Sequence, residues 1–326
     1  MEKSLRNRSL SARNFFDNPI VGPYLALIAL CVIASIASPS IFPTFTNVAN
    51  LLRQLSIVGV VSIGMTVVLL IGGIDLSVTG TMAISACVLA RMSDSLMKSG
   101  NPDAVWWVVL MILGIGLGIG LINGIMIVFR NVEPFIITLG MAQVLKGINY
   151  IYTKGAPGGT VTPFWKAFGS ESLFGAIPYP IILFAGLMVI FVILLHKTIF
   201  GRHLYAIGSN REAARLSGIK VDKNKIIAYM LCGLTAAIAG IMLAARVRVG
   251  EPNGSTGYDL DSIAAVVIGG TAMSGGTGNL LGTLAGVLIM AVMNNMLNIM
   301  GADPYFQMVI KGLIVLVAVL IQRKNK

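Results

Sequence analysis

Charged residues are scarce in this sequence, and histidine and cysteine are scarcer still. Only 11% of the 326 residues are Asp, Glu, Lys or Arg, whereas a soluble domain carries about 25%. The composition therefore excludes an ordinary soluble domain. The two histidines, His196 and His203, lack cysteine or carboxylate ligands at metal-site spacing, so we expect no metal site. All three cysteines lie within apolar runs, which favours packing over disulfide formation.

Motifs for catalysis and nucleotide binding are absent as well. The sequence contains no G-x-x-x-x-G-K-[ST] phosphate loop, and the glycine-rich pieces GAPGGT and GGTGN lack the lysine. No nucleophile–base pair and no pair of catalytic carboxylates stands out. We therefore predict that the chain is not an enzyme, needs no cofactor and does not hydrolyse ATP itself.

Apolar residues dominate what is present. They make up 56% of the chain, and the mean hydropathy is +0.85. Most of the ten apolar segments approach the ~20 residues that cross ~30 Å of hydrocarbon. We predict an all-α, polytopic membrane protein in which residues 1–326 form a single transmembrane domain. The segments are 20–38, 50–71, 76–90, 104–129, 134–152, 177–195, 226–245, 261–273, 279–300 and 305–322.

Lysine and arginine cluster at the ends of these segments. The net charge of +11 therefore indicates membrane orientation and not nucleic-acid binding. If the N-terminus is cytoplasmic and all ten segments cross, fifteen basic residues lie inside and six outside. This arrangement predicts that 1–19, the loop 196–225 and the C-terminus are cytoplasmic. It favours a crossing by segment 261–273, because re-entry would place the tail RKNK outside.

Glycine interrupts two of the segments in a similar way. The stretches VVLLIGGIDLSVTGTMAI (67–84) and AAVVIGGTAMSGGTGNLLGTLAG (264–286) each join two apolar runs through a Gly-Gly pair and a short polar break. Paired interruptions in the two halves of a membrane chain are typical of a transport site. The freed backbone groups must be buried in protein or face water. The glycines of the two breaks are Gly72, Gly73, Gly269 and Gly270.

Asp75 places a carboxylate inside one of these interrupted segments. Asp75 and Ser77 are both residue types that cap the start of a helix, so either could satisfy backbone N–H groups there. An intramembrane carboxylate also marks substrate paths and proton relays. The sequence leaves both interpretations open.

A second glycine pattern indicates packing. Gly116, Gly120 and Gly124 recur every four residues and therefore line one face of a helix. Small residues at this spacing let two helix backbones approach closely. The spacing does not fit a dinucleotide-binding fingerprint.

Polar side chains within the apolar segments either join helices or line a translocation path. We expect most to join helices. Lys146 and Lys311 are expected to reach the interface or to pair with another side chain. The candidate polar residues are Gln54, Thr66, Asn123, Gln143, Asn149, Asn294, Asn298 and Gln307.

The stretch SNREAARLSG (209–218) predicts a short helix in the loop 196–225. Ser209 and Glu212 form a capping box, and Gly218 stands at the position of a C-terminal cap. Two helical turns are not stable alone in water. The helix could dock on a second protein or simply belong to a connecting loop. Its candidate docking residues are Ser209, Asn210, Arg211, Glu212, Ala213, Ala214, Arg215 and Gly218.

From Leu51 onward the sequence resembles the permease subunits of bacterial ATP-binding-cassette (ABC) importers for monosaccharides, most of all ribose and allose permeases. The resemblance rests on GMTVVLLIGGIDLSVTG, YAIGSNREAARLSGIKV, GYDLDSIAAVVIGGTAMSGGTGNLLGTLAG and MNNMLNIMGADPYFQMVIKGLIVLVAVLI. One departure is Thr79, which precedes Gly80 where the common form reads Leu-Ser-Val-Gly. This departure shifts a glycine by one position in the first break.

The resemblance implies a location and a set of partners. Such permeases lie in the inner membrane and pair as two membrane subunits around one path, here as a homodimer. A cytoplasmic ABC ATPase would dock on the segment 209–218, which matches the family's Glu-Ala-Ala loop. A periplasmic sugar-binding protein would deliver the sugar to the outer face. Membrane lipid would surround the assembly, and no nucleic acid would take part.

Alternative functions remain open on the sequence alone. An ion-coupled secondary transporter would also have interrupted helices and an intramembrane charge. A channel is disfavoured because no selectivity-filter pattern is visible. Within the importer family, the solute could be a signalling furanoside or a branched amino acid. Allose is our preferred sugar, followed by ribose.

Overall fold

A computed structural model describes residues 21–130 and 132–324. Within them the chain forms thirteen α-helices, and ten of these coincide with the ten apolar segments. The all-α prediction is confirmed. The helices are α1 Val21–Ala37, α2 Phe45–Leu70, α3 Val78–Lys98, α4 Val105–Arg130, α5 Pro134–Thr153, α6 Pro163–Ser170, α7 Tyr179–Lys197, α8 Ile199–Ser209, α9 Arg211–Leu216, α10 Val221–Val247, α11 Tyr258–Ile268, α12 Leu280–Ile299 and α13 Pro304–Lys324.

Two minor elements complete the described part of the chain. A 3₁₀ turn, Pro102–Ala104, precedes α4. Strands β1 (Ser172–Leu173) and β2 (Ile177–Pro178) pair antiparallel as a small hairpin ahead of α7. The predicted cytoplasmic N-terminus, 1–19, lies outside the described residues.

Five helices in the described ranges are long and apolar enough to cross a membrane by themselves. Helix α1, with 17 residues, is shorter. Helix α11 has 11 residues, and a helix of that length spans only about 16 Å at 1.5 Å per residue. The five are Phe45–Leu70, Pro102–Arg130, Tyr179–Lys197, Val221–Val247 and Leu280–Ile299.

Helices α2 and α10 lie at the centre of the bundle. Every residue of α2 from Leu55 to Leu70 is buried. Helix α10 packs on α2, α3 and α4. Gly120 of α4 meets the carbonyl of Tyr229, and Gly124 would place a Cβ 2.8 Å from the Cα of Ile226. The predicted glycine face on α4 is therefore confirmed as a helix contact.

The bundle has two distinct ends. We call the end where α2 finishes and α10 starts the break end; it also holds α8 and α9. The opposite end, the hairpin end, holds β1, β2 and α6, since Gly169 of α6 packs on the backbone of Ala245 near the end of α10. Trp106, Trp107 and Phe164 are exposed there, as in the aromatic belt of a membrane protein.

Candidate transport site and docking helix

The first break is the non-helical segment 71–77, which follows α2. Gly72 has a φ of +71°, a conformation that strains any residue with a Cβ. Gly73 packs directly against the hydroxyl of Tyr229 on α10. The backbone conformation of Gly72 and the contact of Gly73 end α2 at the predicted pair of glycines. The chain then turns back into the protein interior.

Asp75 is fully buried within this first break. Its Oδ1 accepts hydrogen bonds from the Ser77 backbone N–H at 2.9 Å and from the Ser77 hydroxyl at 2.6 Å. Asn123 of α4 donates from Nδ2 to the same hydroxyl at 2.9 Å. The carboxyl therefore satisfies a backbone donor at the start of α3, as the capping interpretation predicts.

The predicted capping role of Ser77 is wrong. Ser77 occupies the N-cap position of α3, but its side chain accepts no bond from the first turn. Instead, the Ser77 hydroxyl donates a hydrogen bond to Asp75 Oδ1 and accepts one from Asn123 Nδ2. Asp75 Oδ2 has no hydrogen-bond partner among the described residues.

The second break, 269–279, separates α11 from α12. Gly269 ends α11 against the carbonyl of Gly282, and Gly270 has a φ of +89°. Asn279 then caps α12 by accepting from the Leu281 N–H at 2.9 Å. Gly286 packs on Ala265 while Gly282 packs on Gly269, so α11 and α12 run antiparallel.

The chain passes from one end of the bundle to the other between α10 and α12. Gly250 pairs with Gly158 at the hairpin end, and the Gly276 N–H donates to the Leu70 carbonyl at the break end at 2.9 Å. This passage is made by the non-helical stretch 249–257 followed by the short helix α11, and not by one continuous helix. A membrane crossing by segment 261–273 stays a prediction.

Helices α3 and α11 both begin in the interior. Gly240 packs on Met82 and Ser85, so the first turns of α3 lie opposite the middle of α10. Ser255, just before α11, donates to the Thr79 carbonyl at 2.9 Å. Asn149 and Tyr150 of α5 contact the same loop at Pro252 and Asn253. Two interrupted segments thus approach from opposite ends and meet inside the bundle.

Half of the eight candidate polar residues are buried in the bundle. Asn123, Asn149 and Asn294 are buried, and the Thr66 and Thr283 hydroxyls lie 2.9 Å apart. The threonine pair joins α2 to α12, whereas Asn123 and Asn149 donate to the non-helical segments at Ser77 and Pro252. Gln54 is half-buried, whereas the side chains of Gln143 and Asn298 are exposed. Asn298 accepts from Gln307 at 2.9 Å.

The two intramembrane lysines have partners. Lys311 forms an ion pair with Asp261 at 2.8 Å, which connects α13 to α11. The Lys146 ammonium lies 5.7 Å from the centre of the Tyr150 ring. Asp261 could not be identified as the partner from the sequence, because fifty positions separate it from Lys311.

The short helix exists but begins one residue later than predicted. Ser209 is the last residue of α8, and Asn210 caps α9 by accepting from the Ala213 N–H at 2.9 Å. The Ser209–Glu212 capping box is therefore wrong. Gly218, with a φ of +81°, ends the helix as predicted.

The two alanines of α9 lie on different faces of the helix. Ala214 is buried against the chain, whereas Ala213 is exposed and Leu216 is 82% exposed. A groove of about 810 Å³ lies beside the helix. Its lining is mostly charged and consists of Val128, Arg211, Glu212, Arg215, Ile219, Lys220, Val221, Asp222 and Lys223.

Comparison with known proteins identifies the family. A family described as the permease component of branched-chain amino acid transport systems matches residues 47–319. The chain belongs to this family of ABC importer permeases. It is a transport protein and not an enzyme.

Several relatives are similar to the permease over nearly its whole length. The ribose import permease protein of Bacillus subtilis (strain 168) is 44% identical over 308 residues, covering 94% of this chain and 93% of the relative. The ribose import permease protein of Escherichia coli (strain K12) is 38% identical over 330 residues, covering 99% and 100%. The L-arabinose transport system permease protein of the same strain is 38% identical over 305 residues, covering 93% and 90%. No solved structure matches the permease significantly.

Proposed function

We propose that the permease is the transmembrane subunit of an ATP-driven importer for a neutral monosaccharide. The observation that carries the proposal is the similarity to ribose and arabinose permeases along almost the entire chain. Ribose is the first sugar to test because two of these relatives are named for it. Allose, which the sequence resemblance favoured, is the second.

In this proposal the break end faces the cytoplasm and α9 docks on the ATPase. Two features of α9 support docking over a plain connecting loop. Leu216 exposes 82% of its surface on a two-turn helix, and helices that dock in a groove bind through such apolar side chains. Arg211 and Arg215 of the same helix provide a charged rim around Leu216. The phosphate loop that this chain lacks would be supplied by the ATPase.

A second copy of the chain would complete the translocation path. Helix α5 exposes Gln143 and Lys146 within an apolar segment. Polar groups at that depth are costly against lipid and normally face the bundle interior or a water-filled cavity. We therefore assign this face of α5 to the path between two copies. Asn298, whose side chain is also exposed, is the next candidate.

Transport would follow alternating access. ATP binding would move α9, and the two halves of the chain would rock around the glycines at 72–73 and 269–270. A sugar-binding protein would deliver the solute at the hairpin end. This orientation places 1–19, the loop 196–225 and the C-terminus in the cytoplasm of a bacterial cell and the chain in its inner membrane.

The unpartnered Asp75 Oδ2 favours one alternative, an ion-coupled secondary transporter. Purification separates the two functions. The chain, expressed from its native operon and extracted in mild detergent, should carry a stoichiometric ATPase that is lost in Ala213→Arg. A solitary chain under the same conditions would favour the secondary transporter and contradict our proposal.

A further inference from the structure

The two helix breaks contact each other at the break end of the bundle. The Gly276 N–H donates to the Leu70 carbonyl at 2.9 Å. A Cβ built on Gly275 would lie 2.7 Å from the Gly72 nitrogen, and one built on Gly72 would lie 3.1 Å from the Ser274 carbonyl oxygen. The contact is therefore made by backbone atoms on both sides.

The end of α8 packs against both breaks at the place where they contact each other. A Cβ on Gly208 would collide with the Leu70 carbonyl oxygen and the Gly276 nitrogen and would lie 3.0 Å from the Gly276 Cα. Glycine is required at position 208 because no side chain fits between the two breaks. One residue of α8 thus contacts both interrupted segments at once.

A second contact binds α8 to the second break. The Tyr205 hydroxyl donates to the Gly278 carbonyl at 2.9 Å. Burial raises the pKa of the Tyr205 phenol, so the hydroxyl remains a hydrogen-bond donor. Tyr205 lies nearly one helical turn before Gly208, and together they fix α8 against the second break.

Helix α8 is also joined to α9 with no flexible linker. Asn210 alone separates the two helices, and its N–H donates to the Ala206 carbonyl at 3.1 Å. The same residue caps α9 through the Ala213 N–H. A displacement of α9 is therefore carried directly into the last turn of α8.

We propose that Gly208 is the centre of a coupling joint, formed with Leu70, Gly72, Gly275 and Gly276, through which α9 moves both helix breaks together. This inference rests on the proposed docking of an ATPase on α9. Close-packed backbone contacts transmit displacement because there is no flexible side chain to absorb it. Gly208 is a positioning residue: it touches neither the sugar nor the ATPase in this account.

Gly208→Ala tests the joint directly. The added methyl group must separate α8 from one or both breaks. We expect the variant to insert in the membrane and to retain the ATPase, while sugar uptake falls by about tenfold or more at unchanged ATP hydrolysis. Gly186→Ala is the matched control, since Gly186 lies on α7 with nothing within 4 Å of an added Cβ. It should transport like the unmodified chain.

Tyr205→Phe provides a second variant that adds no volume. It removes the bond to Gly278 and should lower uptake while the ATPase is retained. If Gly208→Ala fails to insert, this variant alone decides the matter.

Wild-type uptake in both variants would overturn the joint and leave the proposed function intact. Loss of the ATPase from Gly208→Ala would also overturn it, because position 208 would then act in docking. Failure of the unmodified chain to carry any ATPase would instead contradict the proposed function.

Discussion

Asp75 shows how one buried side chain can organise a helix break. Its Oδ1 accepts hydrogen bonds from the Ser77 backbone N–H and from the Ser77 hydroxyl. The same hydroxyl accepts a hydrogen bond from Asn123. Both contacts to Asp75 need an acceptor oxygen and not a negative charge. An amide oxygen at the same position can therefore make them.

Asp75→Asn should retain sugar uptake for this reason. Asp75→Ala is the contrasting variant, since it leaves buried donors unpaired at a cost of about 1–3 kcal/mol. We expect Asp75→Ala to lower the melting temperature of the purified permease and to reduce uptake. Complete loss of uptake in Asp75→Asn, with normal insertion, would show that the charge itself is needed.

The two neighbouring alanines of α9 differ in exposure. Ala213 is exposed and Ala214 is buried. Ala214→Arg should therefore destabilise the chain, by about 1–3 kcal/mol for an overpacked site. Ala213→Arg should leave the melting temperature unchanged and remove only the ATPase. Equal melting temperatures for the two variants would contradict the assigned faces of α9.

Helices are predicted well from the sequence where a long apolar run is the signal. All ten apolar segments form helices because runs of that length satisfy their own backbone bonds in lipid. The start of α9 was predicted one residue early. Ser209 and Asn210 are both good capping residues, and the choice between them depends on α8, whose end is held by the contacts of Gly208.

Other elements could not be predicted from local pattern. Helices α6 and α8 lie outside the apolar runs. The burial of Ala214 follows from tertiary packing, because a two-turn alanine-rich helix has no apolar periodicity to orient it. The contact between the two breaks joins positions 206 residues apart, Leu70 and Gly276.

An ion pair joins α11 to α13. Asp261 and Lys311 are bonded at 2.8 Å with side chains only 12% and 28% exposed. Removing one partner leaves a poorly hydrated charge, which costs more than removing both. Asp261→Asn should therefore destabilise the permease more than the double variant Asp261→Asn with Lys311→Met.

Thermal unfolding of both single variants and the double variant in one detergent completes a mutant cycle. We expect a coupling energy of about 1 kcal/mol or more between positions in direct contact. Additive effects of the two single changes would show that the pair does not hold α13 to α11.

For the whole molecule, the two interrupted segments form one connected arrangement. They enter from opposite ends and meet at Thr79 and Ser255 in the interior. At the break end, 71–77 and 269–279 contact each other beside α8. The sequence predicted both breaks from their glycines, but only the folded chain places them together next to α8.

Sugar uptake into proteoliposomes distinguishes an ATP-driven importer from an ion-coupled transporter. The vesicles would contain the permease with its copurified ATPase, with ATP in the lumen, the sugar-binding protein outside, and labelled ribose or allose as solute. We predict that uptake requires both ATP and the binding protein and continues after an ionophore collapses the ion gradients. Uptake that stops with the ionophore and ignores ATP would contradict the account and make Asp75 the leading residue for ion coupling.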